Sequence, residues 1–302
     1  VVSFARYAWG VLLYNLLVIV WGAYVRATGS GAGCGSHWPL CNGEVVPRSA
    51  GAATMIEFTH RLTSGLALIL VAVLAIWAFR AFPRKHPVRT GAAVSLALIL
   101  VEALLGAGLV LFRYVAENAS AGRAIYLSAH LVNTLLLLGA ITMTAWWASA
   151  GNRAVFRRWR GALAVGFALS LVLGVSGAIA ALGDTLFPPS PVRESTHALV
   201  RLRLLHPLIA VIACAYLAGM AWIASARFGL RRNAHALLWL IAVQLAAGVV
   251  NVLLLAPVWM QLVHLLLADL VWIALVLLAA ETSPAKPEPV AAAAGKMLKK
   301  SA

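Results

Sequence analysis

The chain is poor in charge. Of its 302 residues only 11% are charged, and just 9 are acidic. Hydrophobic residues make up 63%, and the mean hydropathy is +0.92. A water-soluble domain cannot hide that much apolar surface, so the composition excludes one and implies a polytopic membrane protein. Long polar segments are also missing. The longest connection between apolar runs, 27–55, is too short to form a separate soluble domain. The runs lack the polar–apolar alternation of barrel strands. Backbone groups in lipid need internal partners, so the spans are helices. The first apolar stretch shows no cleavable signal pattern and reads as an ordinary span. Cysteine is scarce, with only Cys34, Cys41 and Cys214.

What is present is a series of apolar runs of about 20 residues, the length that crosses a bilayer. Eight spans are predicted, at 7–26, 56–79, 91–112, 124–147, 160–182, 199–225, 235–255 and 259–280. The net charge of +15 is distributed by side rather than gathered into a nucleic-acid-binding patch. Arg80, Arg84, Lys85 and Arg89 follow span 2. Arg153, Arg157, Arg158 and Arg160 follow span 4, and Arg227, Arg231 and Arg232 follow span 6. Lys286, Lys296, Lys299 and Lys300 lie in the tail. This is the positive-inside pattern of a cell-membrane protein with both termini cytoplasmic. Arg26, Arg48, Arg113, Arg123, Arg193, Arg201 and Arg203 fall on the other side, where topology does not explain them. Residues 283–302 are of low complexity and read as a disordered cytoplasmic tail.

The two halves of the chain resemble each other. "EFTHRLTSGLALIL" in span 2 matches "RLLHPLIAVIACAY" in span 6, and "SAHLVNTLLLL" in span 4 matches "LVHLLLADLVW" in span 8. "VEALLGAGLV" in span 3 matches "VQLAAGVVNV" in span 7, so that Glu102 and Gln244 each stand four residues before a glycine. "WGAYVRATGSG" ends span 1 and "SGAIAALGDT" ends span 5. An even number of spans per half gives both halves one orientation. The expected fold class is therefore an all-α polytopic membrane protein. Its eight transmembrane helices form two parallel-repeat four-helix bundles, 1–150 and 151–282.

His60, His130, His206 and His264 fall on spans 2, 4, 6 and 8. Each lies about 6–11 Å along its span at 1.5 Å per residue, in the outer part of the bilayer. A single such histidine reads as a satisfied core residue. Four at one depth, in repeat-related positions, point to metal or haem ligation. Zinc would more often recruit cysteine or carboxylate, so none is expected. Two histidines from facing helices, with small residues nearby, suit the axial positions of a planar haem. Gly65, Gly106, Ala107, Gly108, Gly139, Gly174, Gly177, Ala178, Gly219 and Gly248 would admit a macrocycle, or would equally serve helix packing. Arg26, Arg113, Arg123, Arg201 and Arg203 stand at the outer ends of spans. They would pair with haem propionates or snorkel to headgroups. His37, His86, His197 and His235 read as surface residues in loops or at helix ends.

Glu57, His60, Arg61 and Ser64 share one helix face, at the mouth of span 2. The second half has Arg203, His206, Pro207 and Ala210 there, with no acid. A reacting centre needs a proton acceptor or charge stabiliser, whereas a site that only holds a cofactor does not. Glu57 fits that need, or it simply pairs with Arg61. Cys34 and Cys41 lie on the oxidising side, where they would form a disulfide or act as exchanging thiols. Cys214 sits inside span 6 and reads as a packing residue.

"VRATGSGAGCGSHWPLCNG", "EFTHRLTSG", "SAHLVNTLLLL" and the four-histidine frame resemble the haem A synthase family, in its bacterial form with a cysteine pair in the first external loop. The resemblance covers nearly all of 7–280. It implies oxidation of a methyl group of haem O to a formyl group, giving haem A for terminal oxidases. It also implies that His60 and His130 hold the substrate haem, with Glu57 beside them as a catalytic residue and Arg61 among the groups that bind substrate. His206 and His264 would hold a resident haem b, with Arg201 and Arg203 near it. Two residues depart from the family pattern. His37 stands in the cysteine loop where an acid is expected, and Glu102 stands where a glutamine like Gln244 is more usual. Expected partners are haem O, the lipid bilayer, a haem O synthase and an electron donor. A homo-oligomer remains open, and no nucleic acid is expected. The competing readings are a quinone-linked dihaem electron-transfer cytochrome and, less well matched to the histidines, a transporter.

Overall fold

A computed structural model describes residues 2–48, 51–149, 159–188 and 197–281. The tail at 283–302, the boundary drawn at 150, and Arg153, Arg157, Arg158 and Arg193 lie outside the described residues. Nine α-helices are described: α1 (Val2–Ala27), α2 (Ala52–Ala81), α3 (Pro87–Leu111), α4 (Ala121–Ala148), α5 (Arg160–Leu186), α6 (Ala198–Arg203), α7 (Leu205–Phe228), α8 (Arg231–Leu253) and α9 (Val258–Glu281). With α6 and α7 counted as one, eight are long and apolar enough to cross a membrane. All eight predicted spans are present, and most extend beyond the apolar run. Capping side chains fix the starts of two of them. The Ser120 hydroxyl accepts from the Arg123 N–H, and His86 accepts from the Val88 N–H with Pro87 in the first turn.

The sixth span differs from the expectation of one unbroken helix. It breaks at Leu204, between α6 and α7. Pro207 supplies the reason. It has no N–H for the Arg203 carbonyl four residues earlier, and its ring crowds that carbonyl. His197 is not simply a surface residue, because its ring accepts from the Leu199 N–H at the start of α6. His86 does the same for α3.

The helices pack as two rings. In the first, α1 meets α2, α2 meets α3, α3 meets α4 and α4 meets α1. In the second, α5, α7, α8 and α9 close in the same order. The diagonal helices α2 and α4, like α7 and α9, do not pack directly as neighbours. The rings join through α1 and α4 on one side and α5 and α9 on the other. At that junction Trp272 of α9 lies against Gly139 of α4, edge-on to Phe167 of α5, beside a core of Leu135, Leu138 and Ile141. Far from the 28–48 loop, Phe4 packs edge-on between Trp77 and Phe82 and locks α1 to α2.

Candidate functional site

All four histidines lie toward one end of the bundle. His60 follows Ala52 by eight residues, His130 follows Ala121 by nine, His206 follows Ala198 by eight and His264 follows Val258 by six. At 1.5 Å per residue they sit about 9–14 Å along their helices, deeper than the sequence-based figure because the helices begin earlier. His60 and His130 stand on the diagonal helices of the first ring, and His206 and His264 on those of the second.

Glycines give the rings their room. A Cβ on Gly22 would stand 2.9 Å from His60 Cε1, one on Gly177 3.1 Å from His206 Cε1, and one on Gly248 3.2 Å from His264 Cε1. Gly22 and Gly177 occupy matching places in "WGAY" and "SGAI". Gly22 escaped the sequence-based set of small residues, although the repeat pointed to it. Gly65, Gly106 and Gly219, which belonged to that set, face open space. Gly108 instead receives the Tyr126 ring, with a Cβ position only 2.6 Å from Tyr126 Cε1.

In the second ring, the His206 and His264 rings are 6.4 Å apart between centroids and nearly perpendicular, at 88°. His206 Nδ1 lies 2.9 Å from the Ser176 hydroxyl, which also donates to the Leu173 carbonyl. With its proton so placed, the hydroxyl accepts from Nδ1–H and leaves the Nε2 lone pair available. His264 Nε2 stands 3.4 Å from Gln244 Nε2, while its Nδ1 is buried without a partner.

In the first ring, His130 Nδ1 lies 3.1 Å from Glu102 Oε1. The contact is close but not aligned as a hydrogen bond. Asn133 donates to the other carboxylate oxygen at 2.6 Å, and the Thr134 hydroxyl donates to Oε1. Glu102 had no assignable role from sequence. The contact with His130 joins α3 to α4, which helical periodicity cannot reveal. The Nδ1 of His60 is buried and has no partner.

Above His60, the 28–48 loop folds onto the start of α2. Cys34 and Cys41 are joined by a disulfide and are both buried, while Cys214 is free and buried. Glu57 is only 3% exposed. Its Oε2 accepts from the Cys34 N–H at 2.8 Å, and its Oε1 accepts from Arg61 at 2.5 and 3.1 Å. Arg61 also donates to the carbonyls of His37 and Leu40, at 2.6 and 2.8 Å, so it grips the segment between the cysteines. Gly33 presses so closely on α2 that a Cβ there would meet the Ala53 carbonyl oxygen at 2.4 Å. Both oxygens of Glu57 are therefore engaged within the protein.

Most of the candidate arginines also have protein partners. Arg26 donates to the Ala181 carbonyl, Thr185 and Gln261, at 2.7, 2.6 and 2.9 Å, tying α1 to α5 and α9. Arg123 donates to the carbonyls of Ala116 and Asn118 and orders the α3–α4 loop. Arg203 pairs with Asp184 at 3.2 Å. Arg113 and Arg201 are exposed. Asp269 of α9 is fully buried, and neither of its oxygens has a partner. Among the described residues, no group of three or more His, Cys, Asp or Glu side chains converges as a metal cage.

Comparison with known proteins places this geometry. Over 292 residues the chain is 53% identical to a Thermus thermophilus protein named Protoheme IX farnesyltransferase, covering 91% of this chain and 48% of that protein. It is 46% identical over 97 residues to the Heme A synthase of Shouchella clausii, covering 32% of each chain. It is 34% identical over 150 residues to the Heme A synthase of an Exiguobacterium species, covering 50% of this chain and 48% of that one. The chain thus spans about half the length of the Thermus relative. The family model COX15-CtaA, described as cytochrome oxidase assembly protein, matches residues 5–276, so this multi-pass membrane chain belongs to that family.

Proposed function

We propose that the chain acts as a haem A synthase, oxidising a methyl group of haem O to a formyl group to give haem A for terminal oxidases. The observation that carries this reading is the arrangement of four histidines at one level, as two pairs on diagonal helices, each pair inside its own ring. Membership of the family and the relatives named Heme A synthase support it.

The residues present fit two haems. The Nδ1 atoms of His60 and His264 are buried polar atoms without a protein partner. The glycines facing His60, His206 and His264 leave space where a side chain would intrude. The His206 and His264 rings, 6.4 Å apart between centroids, stand close enough for both to hold one haem between them. His60 and His130 hold the substrate, haem O. His206 and His264 hold a resident haem b, which supplies one-electron transfer when bound.

Ser176 fixes the proton of His206 on Nδ1 and so leaves the Nε2 lone pair available to a haem iron. Glu57 and Arg61 hold the disulfide loop over the first site. A role for Glu57 as proton acceptor further requires its pair with Arg61 to open, since neither oxygen is spare. Arg113 and Arg201, exposed near the ends of α3 and α6, carry the propionate-pairing reading best. The arginine-rich loops favour cytoplasmic termini and an external disulfide loop. A relative named for farnesylating protohaem contains a segment like this chain, which favours a haem O synthase as supplier of the substrate.

The test is to supply haem O to the purified chain with an electron donor and to identify extracted haems by chromatography and mass. Haem A is the expected product. Recovery of haem O unchanged from protein with both sites filled would favour an electron-transfer cytochrome. Haem B supplied with farnesyl diphosphate is the control. Its conversion to haem O would favour the activity named in the Thermus relatives.

A further inference from the structure

The carboxylate of Glu102 has no task in the function proposed above. We propose that it is a positioning residue. It holds His130 with Nδ1 protonated, and so gives the first-half iron a more strongly donating ligand than either histidine of the second half provides. The inference rests on the reading that His60 and His130 hold a haem.

The geometry supports this in three ways. First, the groups around the carboxylate leave it only the part of an acceptor. Asn133 donates to one oxygen at 2.6 Å and the Thr134 hydroxyl donates to the other. His130 Nδ1 lies 3.1 Å from the same oxygen, a close contact that is not aligned as a hydrogen bond in this structure but at which the carboxylate charge favours the proton on Nδ1. The lone pair is left on Nε2, the nitrogen free for iron. Second, the support is built. Asn133, on α4, also donates to the Leu98 carbonyl of α3 at 2.9 Å, so the group holding Glu102 is tied to both helices.

Third, the second half lacks every part of the device. Gln244 replaces Glu102, and in the register that aligns His130 with His264, Leu267 and Ala268 replace Asn133 and Thr134. Gln244 approaches the other ring nitrogen, at 3.4 Å. His206 is held by a neutral hydroxyl. A metal-bound histidine that donates its second N–H to a carboxylate becomes a more basic ligand. A more basic ligand stabilises the ferric over the ferrous iron. The first-half haem is thereby set at a lower reduction potential than this ligand pair would give without the carboxylate.

The test uses the full chain with haem in both sites. Redox titration followed optically, with electron paramagnetic resonance of the ferric signals, resolves the two haems. Glu102→Gln keeps size and removes the acceptor carboxylate. It is expected to raise the first-site potential and move that site's ferric signal, with the second site unchanged. Gln244→Glu is expected to leave the first site alone. An unchanged first-site potential in Glu102→Gln with both haems bound overturns the proposal, because a residue that only packs would behave that way. If Glu102→Gln loses the first-site haem, Glu102→Asp decides. Restored haem with the wild-type signal supports the proposal, and an empty first site beside a filled second site overturns it. A potential shift in a chain that makes no haem A would leave this inference standing and reject the activity. Absence of haem at His60 and His130 in the wild type would reject both.

Discussion

Replacement of Glu57 by glutamine has a cost that can be worked from its contacts. The carboxylate accepts from the Cys34 N–H on one oxygen and from Arg61 on the other. Glutamine has one oxygen and one NH2 group. Whichever way the amide turns, its NH2 faces a donor, either the Cys34 N–H or the Arg61 guanidinium. Removing one partner of a buried ion pair costs ~3–5 kcal/mol. Arg61 keeps its contacts with the His37 and Leu40 carbonyls, which places the loss at the lower end. At 1.4 kcal/mol per tenfold, a loss of about 3 kcal/mol makes opening of the loop roughly 100-fold more frequent. Hydrogen exchange of peptides spanning 28–48, measured by mass spectrometry in detergent or nanodiscs, should accelerate by about that factor at Cys34. The Cys34–Cys41 bond should also be reduced faster by a phosphine. Haem content of the second half should not change, while haem A formation stops or stalls. Wild-type exchange and reduction rates in Glu57→Gln would refute the assignment of Glu57 as the clasp of this loop. A wild-type rate of haem A formation would remove it from the reaction as well.

Three further outcomes are expected. His206→Ala or His264→Ala should lose the haem b absorbance of the second half, read as a pyridine haemochrome, and unchanged spectra in both variants would reject them as ligands. Thiol labelling of denatured, unreduced protein should modify Cys214 alone, with Cys34 and Cys41 reacting only after reduction; labelling of all three at once would argue against the disulfide in the isolated protein. Gly22→Val and Gly177→Val should each lower haem stoichiometry at the histidine they face. The cause is a Cβ that would lie 2.9 Å from His60 or 3.1 Å from His206. Normal haem content in both would show that the rings have room to move.

The membrane class, the eight helices and the level of the four histidines were determined by the sequence itself. Each depends on local quantities, namely the length of apolar runs and the spacing of residues from a helix start. The break at Leu204 was also within reach, because Pro207 acts on the carbonyl four residues before it. The tertiary structure decided the partners. Arg26 bonds to groups 155, 159 and 235 residues away, and no local pattern distinguishes such an arginine from one that meets a lipid or a propionate. Glu57 paired with Arg61 on its own helix, as periodicity allows, but its second oxygen went to the amide of Cys34, which only the folded loop brings near. Glu102 and His130 were two unrelated residues until α3 packed against α4. Arg26, Glu57 and Glu102 are held by partners that other segments bring near, and the crossings of those segments are set by packing between distant parts of the chain rather than by the order of residues along any one helix.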